Sequence, residues 1–489
     1  MKNILRFVAI GLFGFFPAAA HAGVKLPKIF GDHMVLQRGM NAPLWGWADP
    51  GEKITVSLPG SSQNTVADLS GHWRITIPPM QPPAPVSIVV TGKNSITIND
   101  VLFGEVWICS GQSNMQFALS HASNARHALA TADHPTLRLF VAEREFNDQP
   151  QDDLNDGHWE ISSPKTAHDF SAVGYFFGAE LLDALNTPIG LIEADWGGTR
   201  AEAWIPRKIF DQLPLPYEPQ WTEAMIHPRP PGVTTGPAGL ELEQAPARLY
   251  NSMIHPLARY AIRGVIWYQG ESNAPYPAQY ADVMTALIKS WRTAWNQGDF
   301  PFLIVQLANY DVTHAIEIQA PELGGGWPRI RAAQAKLASD LPNVGLAVTI
   351  DIGNPKDIHP RNKTEVGRRL ALAARKLAYG QSIESAGPTF RSLQIDGPNV
   401  TVSFDHADGL KSKGDPLQGF EIAGPDNQFS PGIATILGNQ VIVTSNTIKS
   451  PLSIRYGWSD NPTCTLYNSS NLPAVPFWPN PKPPTPAEN

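Results

Sequence analysis

The stretch Val106–Met115, VWICSGQSNM, passes from an apolar run into a cluster of small and polar residues. Its first four residues form an apolar run that is typical of a short buried strand. Gly111 permits a sharp turn, so the hydroxyl of Ser113 is held out beyond the carboxyl end of that strand. The elbow pattern Gly-x-Ser-x-Gly is not matched, because Met115 stands where the second glycine would be. Ser113 is therefore a candidate nucleophile, and an ordinary helix N-cap is the plainer alternative.

Around this stretch, from about residue 101 to 381, apolar strands alternate with helical patterns. Strands are predicted at 106–109, 137–141, 189–194, 264–268, 302–307 and 344–350, and helices at 173–185, 279–295 and 365–377. This alternation predicts an α/β fold, in which helices cover both faces of a parallel sheet. Ligands of such sheets bind beyond the carboxyl ends of the strands.

The segments on either side have a different sequence pattern. Short alternating apolar runs are separated by Pro, Gly and Asn, which is typical of all-β domains. A long Pro-rich stretch, 206–247, interrupts the α/β region and is expected to be a functional loop. The predicted divisions are a signal peptide (1–22), an N-terminal β-sandwich (23–100), an α/β hydrolase domain (101–385), a C-terminal β domain (386–478) and a disordered Pro-rich tail (479–489).

The first 22 residues have the three parts of a signal peptide. Lys2 and Arg6 give a positive start, Phe7–Phe16 is nearly continuous apolar chain, and Ala20–Ala22 has the small-x-small form that signal peptidase accepts. The apolar run is too short to span a bilayer. We therefore predict cleavage near Ala22 and an exported protein, periplasmic or extracellular, without a membrane anchor.

Composition excludes some function classes. The formal net charge is -7 and the basic residues do not cluster, so nucleic acid is not an expected partner. The two cysteines, Cys109 and Cys464, are able to pair in an oxidising compartment, but a buried free Cys109 on a core strand is the favoured interpretation. The fourteen tryptophans suit either exposed rings that stack on sugars or the cores of β domains.

Three further polar clusters follow strands. His359, in Asp357–Pro360, is placed to take a proton from a serine and return it to a leaving alcohol. In the cluster after residue 268, Gln269 can donate to an oxyanion and Glu271 can orient an imidazole. The plainer alternatives are a surface histidine for His359 and an ordinary polar loop for the cluster after residue 268. Four such clusters at the ends of four strands are nevertheless unlikely to arise by chance.

The fourth cluster is Asp195–Arg200, which follows the strand at 189–194. Its two glycines, Gly197 and Gly198, allow a backbone N–H to approach a ligand closely, or simply make a tight turn.

These four clusters, together with four runs elsewhere in the chain, resemble the motif blocks of the sialate O-acetylesterases, a family of the SGNH hydrolase superfamily. Beyond the four clusters, the resemblance includes the runs 34–38, 43–48, 419–424 and 454–458, so it covers essentially the whole mature chain. It implies a serine esterase that removes acetyl groups from sugars, with an SGNH-type core between two β domains.

Carried over position by position, the resemblance implies Ser113 as nucleophile and His359 as general base. The N–H of Ser113, the N–H of Gly197 or Gly198 and the side chain of Gln269 would form the oxyanion hole.

The chain departs from the superfamily pattern at two positions. Gln269 stands in the block that usually supplies an asparagine, and Lys356 stands three residues before the histidine, where an aspartate is usual. The third member of a triad is therefore Asp357, Glu271 or none.

The substrate is expected to be an acetylated sugar or glycan, with O-acetylated sialic acid favoured and acetylated xylan as an alternative. Asn114, Trp196 and Arg200 are the candidate substrate-binding residues, the arginine because sialic acid carries a carboxylate. No metal site or cofactor is predicted, because no His, Cys or carboxylate set has ligand spacing. A non-catalytic carbohydrate-binding protein is the rival from another class, and the joint presence of Ser113 and His359 speaks against it. The sequence does not indicate an oligomeric state.

Overall fold

The computed structural model describes residues 23–80, 84–214, 242–311 and 325–479. The predicted signal peptide, nearly all of the predicted tail and most of the Pro-rich stretch 206–247 lie outside the described residues. Within the described part, no helix combines the length and the apolar character needed to cross a bilayer.

The strands of the described residues are β1 (Val35–Gln37), β2 (Ala42–Trp47), β3 (Lys53–Leu58), β4 (Ser61–Val66), β5 (His72–Ile77), β6 (Val86–Thr91), β7 (Ser95–Gly111), β8 (His134–Val141), β9 (Trp159–Ser162), β10 (Ile189–Asp195), β11 (Gly264–Tyr268), β12 (Phe302–Val305), β13 (Val344–Ala347), β14 (Thr389–Asp396), β15 (Asn399–Asp405), β16 (Lys411–Ser412), β17 (Phe420–Ala423), β18 (Phe429–Pro431), β19 (Ile433–Leu437), β20 (Gln440–Thr444), β21 (Ser453–Tyr456) and β22 (Leu466–Tyr467).

The α-helices are α1 (Ser113–Gln116), α2 (Ala125–Ala130), α3 (Ala172–Leu185), α4 (Arg207–Phe210), α5 (Tyr280–Trp295), α6 (Gly326–Asp340) and α7 (Lys363–Leu377). Shorter helical turns occur at Leu119–His121, Ala201–Trp204, Leu242–Gln244, Tyr250–Ile254, His255–Leu257 and Glu271–Asn273.

The central sheet has the strand order β13-β12-β11-β7-β10-β8-β9. All pairs from β13 to β8 are parallel, and β9 adds an antiparallel edge. Every residue of β10, β11 and β12 is buried, so both faces of the sheet are covered. The predicted α/β fold class is confirmed to this extent: the structure has a large mixed sheet and separate small all-β sheets.

Strand β7 is much longer than the four-residue strand predicted at 106–109. Its first part pairs antiparallel with β6, and its last part pairs parallel with β10 and β11. Strands β1, β3, β4 and β6 consequently belong to the same hydrogen-bonded sheet as the α/β core. The predicted boundary between residues 100 and 101 therefore falls inside a continuous strand.

Two pairs of helices pack against the sheet, α3 with α7 and α5 with α6. Helices α3 and α7 approach closely at Gly367, where an added Cβ would lie 2.6 Å from Cβ of Phe176. Trp267 of β11 is fully buried and makes edge-to-face contacts with Trp204 and Trp291, with ring centroids 6.1 and 5.9 Å apart. Most tryptophans in the described part of the chain are buried like these, so they serve cores rather than exposed sugar stacking.

The C-terminal strands form separate small sheets, of which the largest has the order β14-β15-β20-β19. Their apolar side chains form a second core that also includes Val348 and Ile350, in the segment after β13. Cys109 and Cys464 are both buried and free, as favoured from the sequence for Cys109. The C-terminal region thus packs directly against the segment that leads toward His359.

Candidate active site

Ser113 lies just beyond the carboxyl end of the central strand β7 and begins helix α1. Gly111 has φ +136°, and an added Cβ would overlap the carbonyl oxygen of Tyr268 on the neighbouring strand. Only glycine fits this turn without strain. Ser113 itself is partly exposed, and as the first residue of α1 its N–H has no acceptor inside the helix.

His359 lies in the loop between β13 and α7, and its Nε2 is 2.8 Å from Oγ of Ser113. The structure therefore brings together the two residues that the sequence predicts as nucleophile and base. This distance is within hydrogen-bonding range, and it allows direct proton transfer between the two atoms.

The pKa of His359 is lowered from its ordinary value of 6.5. Burial is the main cause, because it disfavours the charged imidazolium, and the nearby ammonium of Lys363 acts in the same direction. The carboxylate of Asp357 opposes both effects. The imidazole is consequently neutral over more of the pH range, which is the state that accepts a proton.

The two candidate carboxylates occupy different places. Asp357 Oδ1 accepts the backbone N–H of His359 at 2.9 Å and lies 4.0 Å from its Nδ1. Glu271 is buried, and its Oε1 accepts from the side-chain amide of Asn114 at 2.6 Å. Burial raises the pKa of Glu271, while Asn114 and Lys363 oppose that rise. Of the two, Asp357 therefore faces the imidazole, at a separation longer than a hydrogen bond.

The glycine loop after β10 lies beside the serine. A Cβ added to Gly197 would be 3.3 Å from Cβ of Ser113, whereas one added to Gly198 would meet nothing within 4 Å. The N–H of Gly197 donates to Oε1 of Gln116 at 2.7 Å. Gly197 is thus the better placed of the two candidate donors, and a glutamine side chain occupies it in this structure.

Gln269 is fully buried, and both of its amide protons have protein acceptors. Its Nε2 donates to Oδ1 of Asn273 at 2.6 Å and to the carbonyl of Thr199 at 3.3 Å, while Oε1 accepts from Tyr280 Oη at 3.1 Å. The side chain therefore has no proton left for an oxyanion in this arrangement. Its hydrogen bonds instead tie its own loop to the segment around Thr199, which corrects the role expected from the sequence.

Asn114, a candidate substrate-binding residue, is also hydrogen-bonded within the protein. It is buried, and its Nδ2 donates to Glu271 Oε1 at 2.6 Å and to the carbonyl of Ile358 at 2.9 Å. Its Oδ1 accepts from Nζ of Lys363. Both amide protons and the oxygen are engaged within the protein and the side chain is buried, so it has no donor to offer a sugar.

Sequence reasoning missed Lys363 and Gln112. Lys363 is fully buried, although a lysine at a helix start is normally solvated, so no pattern in a single sequence reveals it. Gln112 Oε1 accepts from the N–H groups of Gly270 and Ser272, at 3.4 and 3.2 Å. These contacts join the serine turn to the cluster after β11.

The remaining candidates lie at the edge of the site. Trp196 is partly exposed, and its ring is 6.3 Å from that of Phe146. The guanidinium of Arg200 stands 4.9 Å above the ring of Tyr276. Both residues have exposed surface that a substrate can reach.

Two buried carboxyl groups, Glu193 and Asp195, lie at the end of β10, directly before the glycine loop. Arg144 Nη2 donates to Asp195 Oδ1 at 2.9 Å and contacts Glu193 Oε1 at 3.4 Å. Burial raises the pKa of both carboxyls, and for Glu193 the charge of Asp195 adds to the rise. Among the described residues, no group of three or more His, Cys, Asp or Glu side chains is arranged to hold a metal ion.

Comparisons with known proteins give a consistent picture. A profile of the family described as carbohydrate esterase, sialic acid-specific acetylesterase, matches residues 103–376. Sialate O-acetylesterases of Mus musculus and Homo sapiens are 29% and 30% identical to the chain, each over 94% of it and over 95% and 93% of their own lengths. The crystal structure of a carbohydrate acetylesterase from Xanthomonas citri matches with a TM-score of 0.84 and 38% identity, over 94% of this chain and 99% of that one.

Proposed function

We propose that this chain is an exported serine esterase that removes O-acetyl groups from sialic acids, because it belongs to the carbohydrate esterase family of sialic acid-specific acetylesterases and is a carboxylic ester hydrolase. The proposal includes an SGNH-type core and the signal peptide predicted at 1–22. The single observation that carries the mechanism is the 2.8 Å contact between Ser113 Oγ and His359 Nε2.

The first step acylates the serine. His359 Nε2 takes the proton of Ser113 Oγ as this oxygen attacks the acetyl carbonyl carbon, and the carbonyl electron pair moves onto its oxygen. When that pair returns, the ester bond to the sugar breaks, and the sugar oxygen leaves with the proton from His359. Water then repeats the sequence on the acetyl-serine and releases acetate.

The developing oxyanion needs hydrogen-bond donors beside Ser113. We assign the backbone N–H groups of Ser113 and Gly197, because Gly197 is the glycine that borders the serine side chain. The side chain of Gln116 must turn away from Gly197 for this to occur, since its Oε1 accepts that N–H. Gln269 is left out of the oxyanion hole.

Asp357 is the proposed orienting carboxylate. It accepts the backbone N–H of His359 and sits on the Nδ1 side of the ring, whereas Glu271 is bound to Asn114. The 4.0 Å separation and its 43% exposure make this a weaker partner than a buried triad aspartate.

Trp196 and Arg200 are proposed to contact the sugar. A guanidinium matches the planar carboxylate of sialic acid, and stacking on Tyr276 holds Arg200 at the edge of the site. Acetylated xylan has no such carboxylate at the acetylated sugar. It stays the second candidate substrate, because the Xanthomonas citri protein is described only as a carbohydrate acetylesterase.

The test is acetate release from O-acetylated sialic acid and from acetylated xylan by the wild type, Ser113→Ala and Arg200→Gln. Ser113→Ala is expected to lose roughly a thousandfold or more in kcat on both substrates. Arg200→Gln is expected to lose activity on the sialic acid only, with Arg207→Gln, a partly exposed arginine nearby, as the matched control.

Three results would overturn parts of the proposal. Full activity of Ser113→Ala would refute the nucleophile. Release from xylan alone would refute the sialate assignment. No release from any acetyl ester by the wild type would favour a non-catalytic carbohydrate-binding protein.

A further inference from the structure

Lys363 is a buried cation with an unusual environment. It is fully buried at the first residue of α7, and no carboxylate among the described residues lies within ion-pairing distance of its Nζ. The ammonium instead lies 4.8 Å from the ring centre of Phe117 and 5.1 Å from that of Tyr268, and it donates to Oδ1 of Asn114. Burying a cation in this way is costly, so a stability role alone explains it poorly.

The partner of Lys363 connects both halves of the proposed Ser–His pair. Asn114 directly follows Ser113, and its Nδ2 donates to the carbonyl of Ile358, which directly precedes His359. The second proton of the same amide goes to Glu271. One side chain therefore links the serine turn to the histidine loop.

The chemistry of the three partners leaves this amide one orientation. A charged lysine can only donate, whereas a carbonyl and an ionised carboxylate can only accept. A half-turn of the amide would place its NH2 group against the ammonium and its oxygen against two acceptors. Lys363 thus holds the oxygen of Asn114 on its own side and the NH2 group toward Ile358 and Glu271.

We propose that Lys363 is a positioning residue, which acts through the Asn114 amide and the Ile358 carbonyl to hold His359 Nε2 on Ser113 Oγ. This inference rests on the proposed function, because it gives Lys363 a task only if Ser113 and His359 react. Lys363 does not touch substrate, and its effect is therefore expected in kcat rather than in KM.

Electrostatics gives Lys363 a second effect on the same histidine. The pKa of Lys363 is lowered to about 7, mainly by burial, while the carboxylates of Glu271 and Asp357 oppose that shift. The charged groups that face His359 are Lys363 and Asp357, which lower and raise the pKa of the imidazole respectively. Removing the ammonium should therefore raise the pKa of His359.

The test compares Lys363→Met with Lys356→Met, using a small ester such as 4-nitrophenyl acetate. Lys356 is an exposed lysine in the histidine loop, so its loss controls for the change of residue type. For Lys363→Met we expect kcat to fall roughly tenfold to a hundredfold, since misplacement of about 1 Å has effects of that size. KM is expected to stay within about twofold, and the acid limb of kcat/KM to move to higher pH.

A merely structural lysine would behave differently. Methionine removes a buried charge but leaves Oδ1 of Asn114 without its donor, so these two effects on stability oppose each other and the pH profile is the readout that separates the two roles. Lower stability together with an unchanged pH profile would indicate a structural role and would contradict the inference.

Ser113→Ala is measured in parallel to separate the two proposals. If Ser113→Ala is active, the proposed function fails, and this inference fails with it. If Ser113→Ala is inactive while Lys363→Met keeps the wild-type kcat and pH profile, only this inference is overturned.

Should Lys363→Met fail to fold by circular dichroism, Asn114→Asp provides the second test. An aspartate still accepts from Lys363 but cannot donate to Ile358. A loss of kcat at unchanged KM would support the inference, and a wild-type kcat would overturn it.

Discussion

Ser113 and His359 are predicted from sequence by their positions after strands, and the structure brings them within 2.8 Å of each other. The side chains around them are harder to predict. Gln269 and Asn114 are polar residues in the predicted clusters, yet both are buried with their hydrogen bonds used inside the protein. Whether a polar residue after a strand faces the crevice depends on its neighbours' hydrogen bonds, which the sequence does not reveal.

At the same scale, Asp357→Asn tests the orienting carboxylate. An asparagine oxygen can still accept the N–H of His359, so the loop is expected to keep its shape. Because the carboxylate raises the pKa of His359, its loss should move the acid limb of kcat/KM to lower pH. We expect kcat to fall about tenfold, which is less than for a buried triad aspartate, since solvent screens the pair.

The pH profile of the variant beside the wild type provides the check, with Asp405→Asn, a distant exposed aspartate, as the control. An acid limb that does not move would show that Asp357 does not act on the imidazole.

Gln116→Glu tests the assignment of Gly197 to the oxyanion hole. A carboxylate accepts the Gly197 N–H more strongly than an amide and repels a developing negative charge. The variant should lose about tenfold or more in kcat/KM for an acetyl ester. The same change at exposed Gln428 should have no effect. A Gln116→Glu enzyme with the wild-type kcat/KM would remove Gly197 from the mechanism.

At the scale of the element, the periodicity of the sequence predicts most of the sheet. Strand β11 has the predicted bounds, strand β10 begins where predicted and ends one residue later, and helices α3, α5 and α7 begin within two residues of theirs. Strand β7 is the main difference. Polar residues interrupt its first half, which pairs with β6 and, from Leu102 onward, with β1, so pairing rather than apolar periodicity keeps it extended.

The end of β10 offers a test of stability at this scale. A carboxyl whose pKa is higher in the folded than in the unfolded chain binds more protons when folded. Its contribution to stability therefore falls as the pH rises from the ordinary carboxyl range through the raised pKa. Burial raises the pKa of Asp195 in this way, so the charged side chain costs stability at neutral pH.

Asp195→Asn should accordingly raise the unfolding temperature at pH 8 relative to the wild type, with a smaller difference at pH values near the ordinary carboxyl pKa of 3.8. Thermal unfolding at several pH values measures this, and Asp169→Asn, which replaces a highly exposed aspartate, is the control. A difference that grows on acidification would contradict the sign of the shift.

At the scale of the whole molecule, the C-terminal β region is joined to the α/β region by buried contacts. Arg331 of α6 is fully buried and donates to the carbonyls of Ser459 and Asp460, each at 2.7 Å, and to that of Leu307 at 2.9 Å. The sequence distinguishes the two regions by their patterns of apolar residues. It does not predict the contact of Arg331 with the C-terminal region, because a buried arginine and a solvated one look alike in sequence.

Arg331→Met should therefore lower the free energy of unfolding by about 3 kcal/mol or more, because several buried carbonyl groups lose their donor. Urea denaturation measures the loss. Arg391→Met, which removes an arginine that is 59% exposed, should stay within about 0.5 kcal/mol of the wild type. Equal effects of the two substitutions would show that the junction does not contribute to stability.

Covalent labelling with a fluorophosphonate, with esterase activity followed in parallel, tests whether His359 activates Ser113 as the nucleophile. Such a reagent reacts with a serine that a neighbouring base activates. The predicted result is one label per chain, located on Ser113 by mass spectrometry of the peptides, with activity lost in proportion and no label on Ser113→Ala. Loss of activity with the label on another residue, or full activity with Ser113 labelled, would show that Ser113 is not the nucleophile.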